Sequence, residues 1–286
     1  MKILTFDIED WFHVLDNSET SMPNDWSKFP SRIESGVDRI LHLLDDTGQS
    51  ATFFCLGWIG QKYPNVIKNI AREGHQIATH SHEHQLAYNQ TYGMFEEDLR
   101  RSIETLEEVT GRKIDTYRAP GFSITDSNLW VFEILGKFGI KTDCSIFPAS
   151  RAHGGLPMYS CAEPSIIKYN EFTYRSFPIN TTRILGKDIV YSGGGYFRLL
   201  PEWFINRQIS IDEYVMTYFH PRDFDPHQPM IPGLGFARRF KSYVGLSTSY
   251  RKLEKLLRAH SFMNVDTARK EVNWDAVKVV DLGKSD

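Results

Sequence analysis

Three imidazoles crowd into five residues of this sequence, in the run His80-Ser81-His82-Glu83-His84. Imidazole is the commonest metal ligand and the usual acid–base group near neutral pH. Two imidazoles four residues apart face one cation if the backbone turns helically, which fits His80 and His84. His80 and His82 share a face only if the strand continues. Carboxylates stand near the start at Asp7, Glu9 and Asp10. One of them added to two imidazoles leaves an open metal position for water, the mark of a catalytic rather than structural site. Further along come Arg118 in Tyr117-Arg118-Ala119-Pro120-Gly121, Asp143 before Cys144-Ser145, and His220 in Tyr218-Phe219-His220-Pro221. This is the inventory of a metal-assisted hydrolase.

Such residues act together only if the chain brings them to one place, and each follows a short β-type run. Lys2–Ile8, Ala51–Leu56, His75–Thr79, Ile114–Arg118 and Ile140–Cys144 read as strands. Between them lie amphipathic helical patterns. The first is Arg32–Leu44, with a capping box of Ser31 and Glu34 at its start. Pro64–Glu73 is closed by Gly74, a long helix through Phe95, Leu99, Ile103, Leu106 and Val109 ends at Gly111, and Ser127–Phe138 completes the set. Strands alternating with helices imply a parallel sheet with right-handed crossovers, open or closed as a barrel. In such folds active residues gather at the carboxyl ends of strands, where all five sites fall. Beyond residue 150 the rhythm loosens, then resumes with Tyr214–His220 and a basic helix over Ser249–His260. Without a repeat or a clear linker, residues 1–286 read as one domain.

Composition narrows the function. The 286 residues hold 33 Lys plus Arg against 36 Asp plus Glu, a net charge of −3, which excludes a globally basic nucleic-acid binder. A hydrophobic content of 41% excludes a disordered chain. Cys55, Cys144 and Cys161 lack a C-x-x-C pair, so neither a disulfide framework nor a thiolate zinc site is expected. Early acids and the lack of a long apolar run argue against a signal peptide or membrane span, so the expected compartment is the cytoplasm.

Five motifs carry a resemblance. Thr5–Asp10 (T-F-D-I-E-D), His80–His84 (H-S-x-x-H), Arg118–Gly121 (R-A-P-G), Asp143–Pro148 (D-C-S-I-F-P) and Phe219–Pro221 (F-H-P) stand in this order. Together they resemble the polysaccharide deacetylases of the NodB-homology family, carbohydrate esterase family 4. The runs Ser192–Pro201, His220-P-R-D-F-D-P-H-Q-P and Lys241–Leu246 are similar to an exosortase-associated exopolysaccharide branch. The resemblance implies an α/β fold, a distorted (β/α) barrel of about seven parallel strands. The motifs span residues 5–221, and a helical extension is expected over 222–286.

Carried over, the family's roles make Asp7 the general base, and His80 and His84 metal ligands. Arg118 would hold and orient Asp7 as a carboxylate. His220 would be the acid that protonates the departing amine, with Asp143 supporting its charge. The usual first motif has two adjacent Asp residues; here Ile8 follows Asp7, so the carboxyl ligand is Glu9 or Asp10. Strand alternation favours Glu9, on the same side as Asp7. The Tyr117 amide is the expected oxyanion donor, and Trp11 and Pro120 are expected to line the substrate site. A His-His-carboxylate set suits Zn2+, with Mn2+, Fe2+ or Co2+ as alternatives. The implied reaction is removal of the N-acetyl group from an amino sugar of a surface polysaccharide or its nucleotide- or lipid-linked precursor. The rivals are a related amidohydrolase acting on a formamide or cyclic amide, and a non-catalytic sugar-binding module.

Weaker signals remain. Tyr196, Phe197 and Arg198, after a triple glycine, line a sugar or phosphate subsite or simply pack a turn. His13 and His153 are either pocket-rim or surface residues. Residues 236–258 carry Arg238, Arg239, Lys241, Arg251, Lys252, Lys255 and Arg258 against the single acid Glu254. That stretch is either a solvated helix face or a contact for anionic lipid or a sugar diphosphate.

Overall fold

Thr5–Ile8 is buried along its whole length, as expected of a strand covered on both faces. The computed structural model describes residues 1–15, 17–149, 154–159, 161–184 and 187–283, so His153 lies outside the described residues. In chain order the strands are β1 (Lys2–Ile3), β2 (Thr5–Ile8), β3 (Thr52–Cys55), β4 (Gln76–Thr79), β5 (Thr116–Tyr117) and β6 (Thr142–Asp143). Then come β7 (Ser165–Tyr169), β8 (Phe172–Ser176), β9 (Thr182–Ile184), β10 (Lys187–Ile189), β11 (Val215–Met216) and β12 (Lys278–Asp281).

Strands β2, β3, β4, β5, β6 and β8 lie side by side in parallel. Beyond β2, β1 pairs in parallel with β11, and Phe6 bridges Phe219. With β1 and β2 taken as one bent strand, these make the seven parallel strands of a distorted (β/α) barrel. The single strand expected over Lys2–Ile8 breaks at Leu4, whose N–H turns to the Met263 carbonyl. β7 runs antiparallel to β8, and β12 pairs with β7. The extension is therefore not wholly helical: after Phe236–Tyr243, Leu246–Ala259 and Val265–Glu271 the chain returns to the sheet.

Helix Ile33–Thr47 buries Ile33, Val37, Ile40, Leu41 and Leu44, the expected face, and ends at Gly48 with φ 63°. The Ser31–Glu34 capping box does not form. Ser31 Oγ instead donates to Asp10 Oδ2 at 2.5 Å and accepts from the Ile33 N–H. Ser127–Phe138 divides into a 3-10 turn, Asp126–Asn128, and a helix, Val131–Lys137. Cys55, Cys144 and Cys161 are free thiols, the first two buried. No helix among the described residues is long and apolar enough to cross a membrane.

The core positions the rim directly. Gly57, just after β3, donates to Ser81 O, and Trp58 N–H donates to His82 O, which clamps the histidine turn. A Cβ at Gly57 would lie 2.3 Å from His82 Nδ1 and 2.8 Å from Ser102 Cα, on a neighbouring helix. Gly57→Ala is therefore expected to cost about 1–3 kcal/mol by overpacking. Urea denaturation measures this; an unchanged midpoint would mean the turn is not clamped there.

Candidate active site

Residues 80–84 leave β4 as an irregular turn, not the helical one expected. Ser81 and His84 have φ of 70° and 52°, a conformation costly for non-glycine residues unless the surroundings hold it. The support is visible. Asp98, on helix Tyr92–Thr110, accepts the N–H groups of His82 and Glu83 at 2.8 and 2.9 Å. Ser102 Oγ donates to Ser81 O at 2.9 Å.

The turn aims His80 and His84 inward at Glu9. Their Nε2 atoms lie 3.2 and 2.8 Å from Glu9 Oε1. His80 Nδ1 lies 2.8 Å from Arg118 O, which can only accept, so that nitrogen carries the proton and Nε2 presents a lone pair. His84 Nε2 is buried without a hydrogen bond despite its closeness to the carboxylate. Two imidazole nitrogens thus converge on one carboxylate oxygen, and the donor atoms of the three residues lie within 4.8 Å of one another. This donor set fits a divalent cation. Burial alone would raise the Glu9 pKa, but the charges of His84 and His220 and the contacts with His80 and His84 hold it well below the usual carboxylate range. His82 points elsewhere, with Nε2 3.0 Å from the Arg101 guanidinium. Burial, then Arg101, lowers its pKa to about 4.

Asp7 sits one residue beyond the Phe6–Phe219 bridge, so the same register brings His220 beside it. Arg118 is fully buried and reaches Asp7 Oδ1 at 2.6 Å, Thr5 Oγ1 at 2.7 Å and Cys144 O at 3.2 Å. His220 Nε2 lies 3.9 Å from Asp7 Oδ2 and 3.7 Å from Glu9 Oε1. Its Nδ1 lies 3.0 Å from Asp223 Oδ2, and Asp223 Oδ1 lies 3.1 Å from Arg198 Nε. Desolvation works against the His220 charge, yet Glu9, Asp223 and Asp7 together raise its pKa to about 9. A cavity of about 430 Å³ opens over this floor of Asp7, Glu9, His80, His84 and His220.

Residues 4–140 match the polysaccharide deacetylase family model, and residues 144–270 match a domain of unknown function, DUF3473. Over residues 4–140, just under half of its length, the chain is similar to the polysaccharide deacetylases. A peptidoglycan deacetylase of Helicobacter pylori is 30% identical over 124 residues, 43% of this chain and 41% of that protein. A peptidoglycan-N-acetylglucosamine deacetylase of Bacillus cereus is 28% identical over 126 residues, 42% of this chain and 57% of that one. The chain thus spans less than two thirds of either relative. In fold it is similar to a Mycobacterium smegmatis protein assigned to the polysaccharide deacetylases, with TM-score 0.66, 18% identity and coverage of 99% and 93% of the two chains. It is also similar to a carbohydrate esterase family 4 pseudoenzyme from Bacillus anthracis, with TM-score 0.52, 14% identity and coverage of 98% and 66%.

Several of the expected site residues stand elsewhere. Asp10 turns away from the cluster to accept the N–H groups of Trp11 and Arg32 and the Ser31 hydroxyl. Asp143 does not support His220. It lies beside Tyr117 in the sheet and accepts from Ser145 N–H, and burial, only partly offset by Ser145 and Arg118, raises its pKa to about 6. Trp11 is buried in an aromatic cluster, with Nε1 donating to Pro30 O. Tyr117 is fully buried, its carbonyl bonded to Cys144 N–H, and Pro120 is buried, while the next residues, Gly121 and Phe122, line the cavity. Tyr196 and Arg198 line it, but the Arg198 guanidinium is taken up by Asp223 and the carbonyls of Lys241, Ser242 and Val244, and Phe197 is fully buried. Asp223, the true partner of His220, was missed, although three-residue spacing in His220-Pro-Arg-Asp223 is its signal.

The raised His220 value has a sign. Its charged form stabilises the folded chain fully below the ordinary value of 6.5, and this contribution is lost as pH rises through about 9. If His220 delivers the proton, the alkaline limb of the rate profile follows its pKa. Asp223→Asn removes a hydrogen bond and a charge, so that limb is expected to move toward acid by about one unit. A limb that stays in place would assign the proton to another group.

Proposed function

We propose that this chain is an N-deacetylase that hydrolyses the acetamide of an amino sugar, releasing acetate and the free amine. The observation that carries the reading is the convergence of Glu9, His80 and His84 on one point, with Asp7 and His220 beside it under one cavity. Glu9, His80 and His84 would hold a divalent cation, most simply Zn2+ for this ligand set. Such an ion, when bound, polarises the carbonyl and acidifies water.

The chain's own residues supply the proton traffic. Asp7, fixed by Arg118, takes a proton from the attacking water as its oxygen adds to the amide carbon. His220, kept charged by Asp223, gives its proton to the nitrogen as the C–N bond breaks. Gly121 lines the cavity and the Phe122 N–H already donates to Ala119 O, so the Gly121 N–H would be the group to meet the developing oxyanion. His220 and Asp223 come from the stretch matched as a domain of unknown function, and His80 and His84 from the deacetylase stretch. We therefore read residues 1–286 as one working unit. Neither rival, another C–N bond or a non-catalytic module, gains an observation of its own.

Asp7→Asn keeps the side-chain shape and an acceptor for Arg118. It is expected to lower acetate release from N-acetylated chitooligosaccharides about 10²–10⁴-fold while the bound metal, measured by atomic emission, stays at the wild-type level. His84→Ala is expected to lose the metal itself. Turnover that survives Asp7→Asn would remove Asp7 from the base role; lost metal would make it a ligand.

A further inference from the structure

Among the described residues, the buried and partly buried arginines around the site each have a carboxylate or carbonyl partner, with one exception. Arg118 is bound by Asp7, Thr5 and Cys144 O. Arg198 is bound by Asp223 and the carbonyls of Lys241, Ser242 and Val244. Arg32, partly buried, holds Asp225. Arg222, two residues past the acid, is also partly buried and lines the cavity. Among the described residues, however, its guanidinium has no hydrogen-bond or ion-pair partner. Lys241 lines the same cavity, and its ammonium likewise has none among the described residues.

The cavity's own acids cannot serve them, because each is already engaged. Asp7 is held by Arg118, Glu9 by the imidazoles, and Asp223 by His220 and Arg198. A partly desolvated guanidinium with no counter-charge is costly, and burial accordingly lowers the Arg222 pKa despite the nearby Asp223. The rest of the basic stretch is spent elsewhere. Lys252 donates to the carbonyls of Phe197, Arg198 and Leu200, Lys255 pairs with Glu202, and Arg258 pairs with Glu254. Its positive charge therefore reaches the cavity through Arg238 and Lys241 rather than through the later helix.

We propose that Arg222 and Lys241 form an anion subsite in the cavity, which receives an acidic group carried by the N-acetylated sugar. A planar guanidinium fork matches a carboxylate or a phosphate, and the ammonium adds a point charge. The cavity of about 430 Å³ has room for a sugar bearing such a group. The acid is either a carboxylate on the sugar or a phosphate on its reducing end. This subsite rests on the deacetylase reading only in naming the sugar; binding of the anion stands apart from it.

The test compares wild type, Arg222→Gln, Arg222→Lys and Lys241→Gln on three probes. These are N-acetylmuramic acid for the carboxylate, UDP-N-acetylglucosamine for the diphosphate, and neutral tetra-N-acetylchitotetraose. Calorimetric binding and acetate release are both read, at low and high salt, on variants whose thermal melts match wild type. The expected result is that one anionic probe loses about tenfold or more in kcat/KM relative to the neutral probe in Arg222→Gln, mainly through KM. Arg222→Lys recovers part of this, and the surface variant Lys241→Gln shows a smaller loss that salt reproduces. Which acidic probe responds names the source. Equal losses on acidic and neutral probes, or no binding of either acidic probe by wild type, would overturn the subsite. If no probe releases acetate but an acidic probe binds in an Arg222-dependent way, the subsite stands and the hydrolase reading falls.

Discussion

A guanidinium buried without solvent sets the terms for this structure. Arg118 cannot stay charged in the barrel unless its donors are met, since stripping a partner from a buried ion pair costs about 3–5 kcal/mol. Its acceptors come from β2 (Asp7 and Thr5) and from the residue after β6 (Cys144 O), and its own carbonyl faces His80. The Phe54 ring lies 4.0 Å beneath it. One residue therefore couples strand register and the placing of Asp7 through its side chain, and the tautomer of His80 through its carbonyl. A shift in the register or in Asp7 would leave a buried charge unmet.

A second relay runs in from the other half of the chain. Arg198 ties Asp223 to the carbonyls at the C-terminal end of helix Phe236–Tyr243, and Asp223 in turn fixes His220. The region matched only as a domain of unknown function thus brings His220, the carboxylate that orients it and much of the cavity wall. The site exists only where the two stretches meet.

Asp7, His80, His84, Arg118 and His220 were legible because a parallel sheet sends the residue after each strand to one rim, and strand ends are readable from apolar runs. Glu9 was favoured by assuming alternation, but it lies just past β2 in a tight turn whose Glu9 N–H donates to Asp7 O, and that turn is what aims it. What escaped depended on direction rather than position. Asp10 and Trp11 lie within a few residues of Glu9, but the turn after β2 spends them on the start of the next helix and on an aromatic cluster. Left-handed Ser81 and His84 leave no glycine behind to mark them. Asp143 had the family's place and Asp223 the geometry, since a carboxylate three residues along a 3-10 turn needs no strand to bring it near.

The Phe6–Phe219 bridge has a wider meaning. It sets Asp7 and His220 at the same level of adjacent strands, so their separation is a lattice constant of the sheet, about 4.8 Å from strand to strand. No hinge or lid has to bring them together. A change in the length or charge of the loops above would alter what the cavity holds and leave that spacing, set by the hydrogen-bond ladder, where it is.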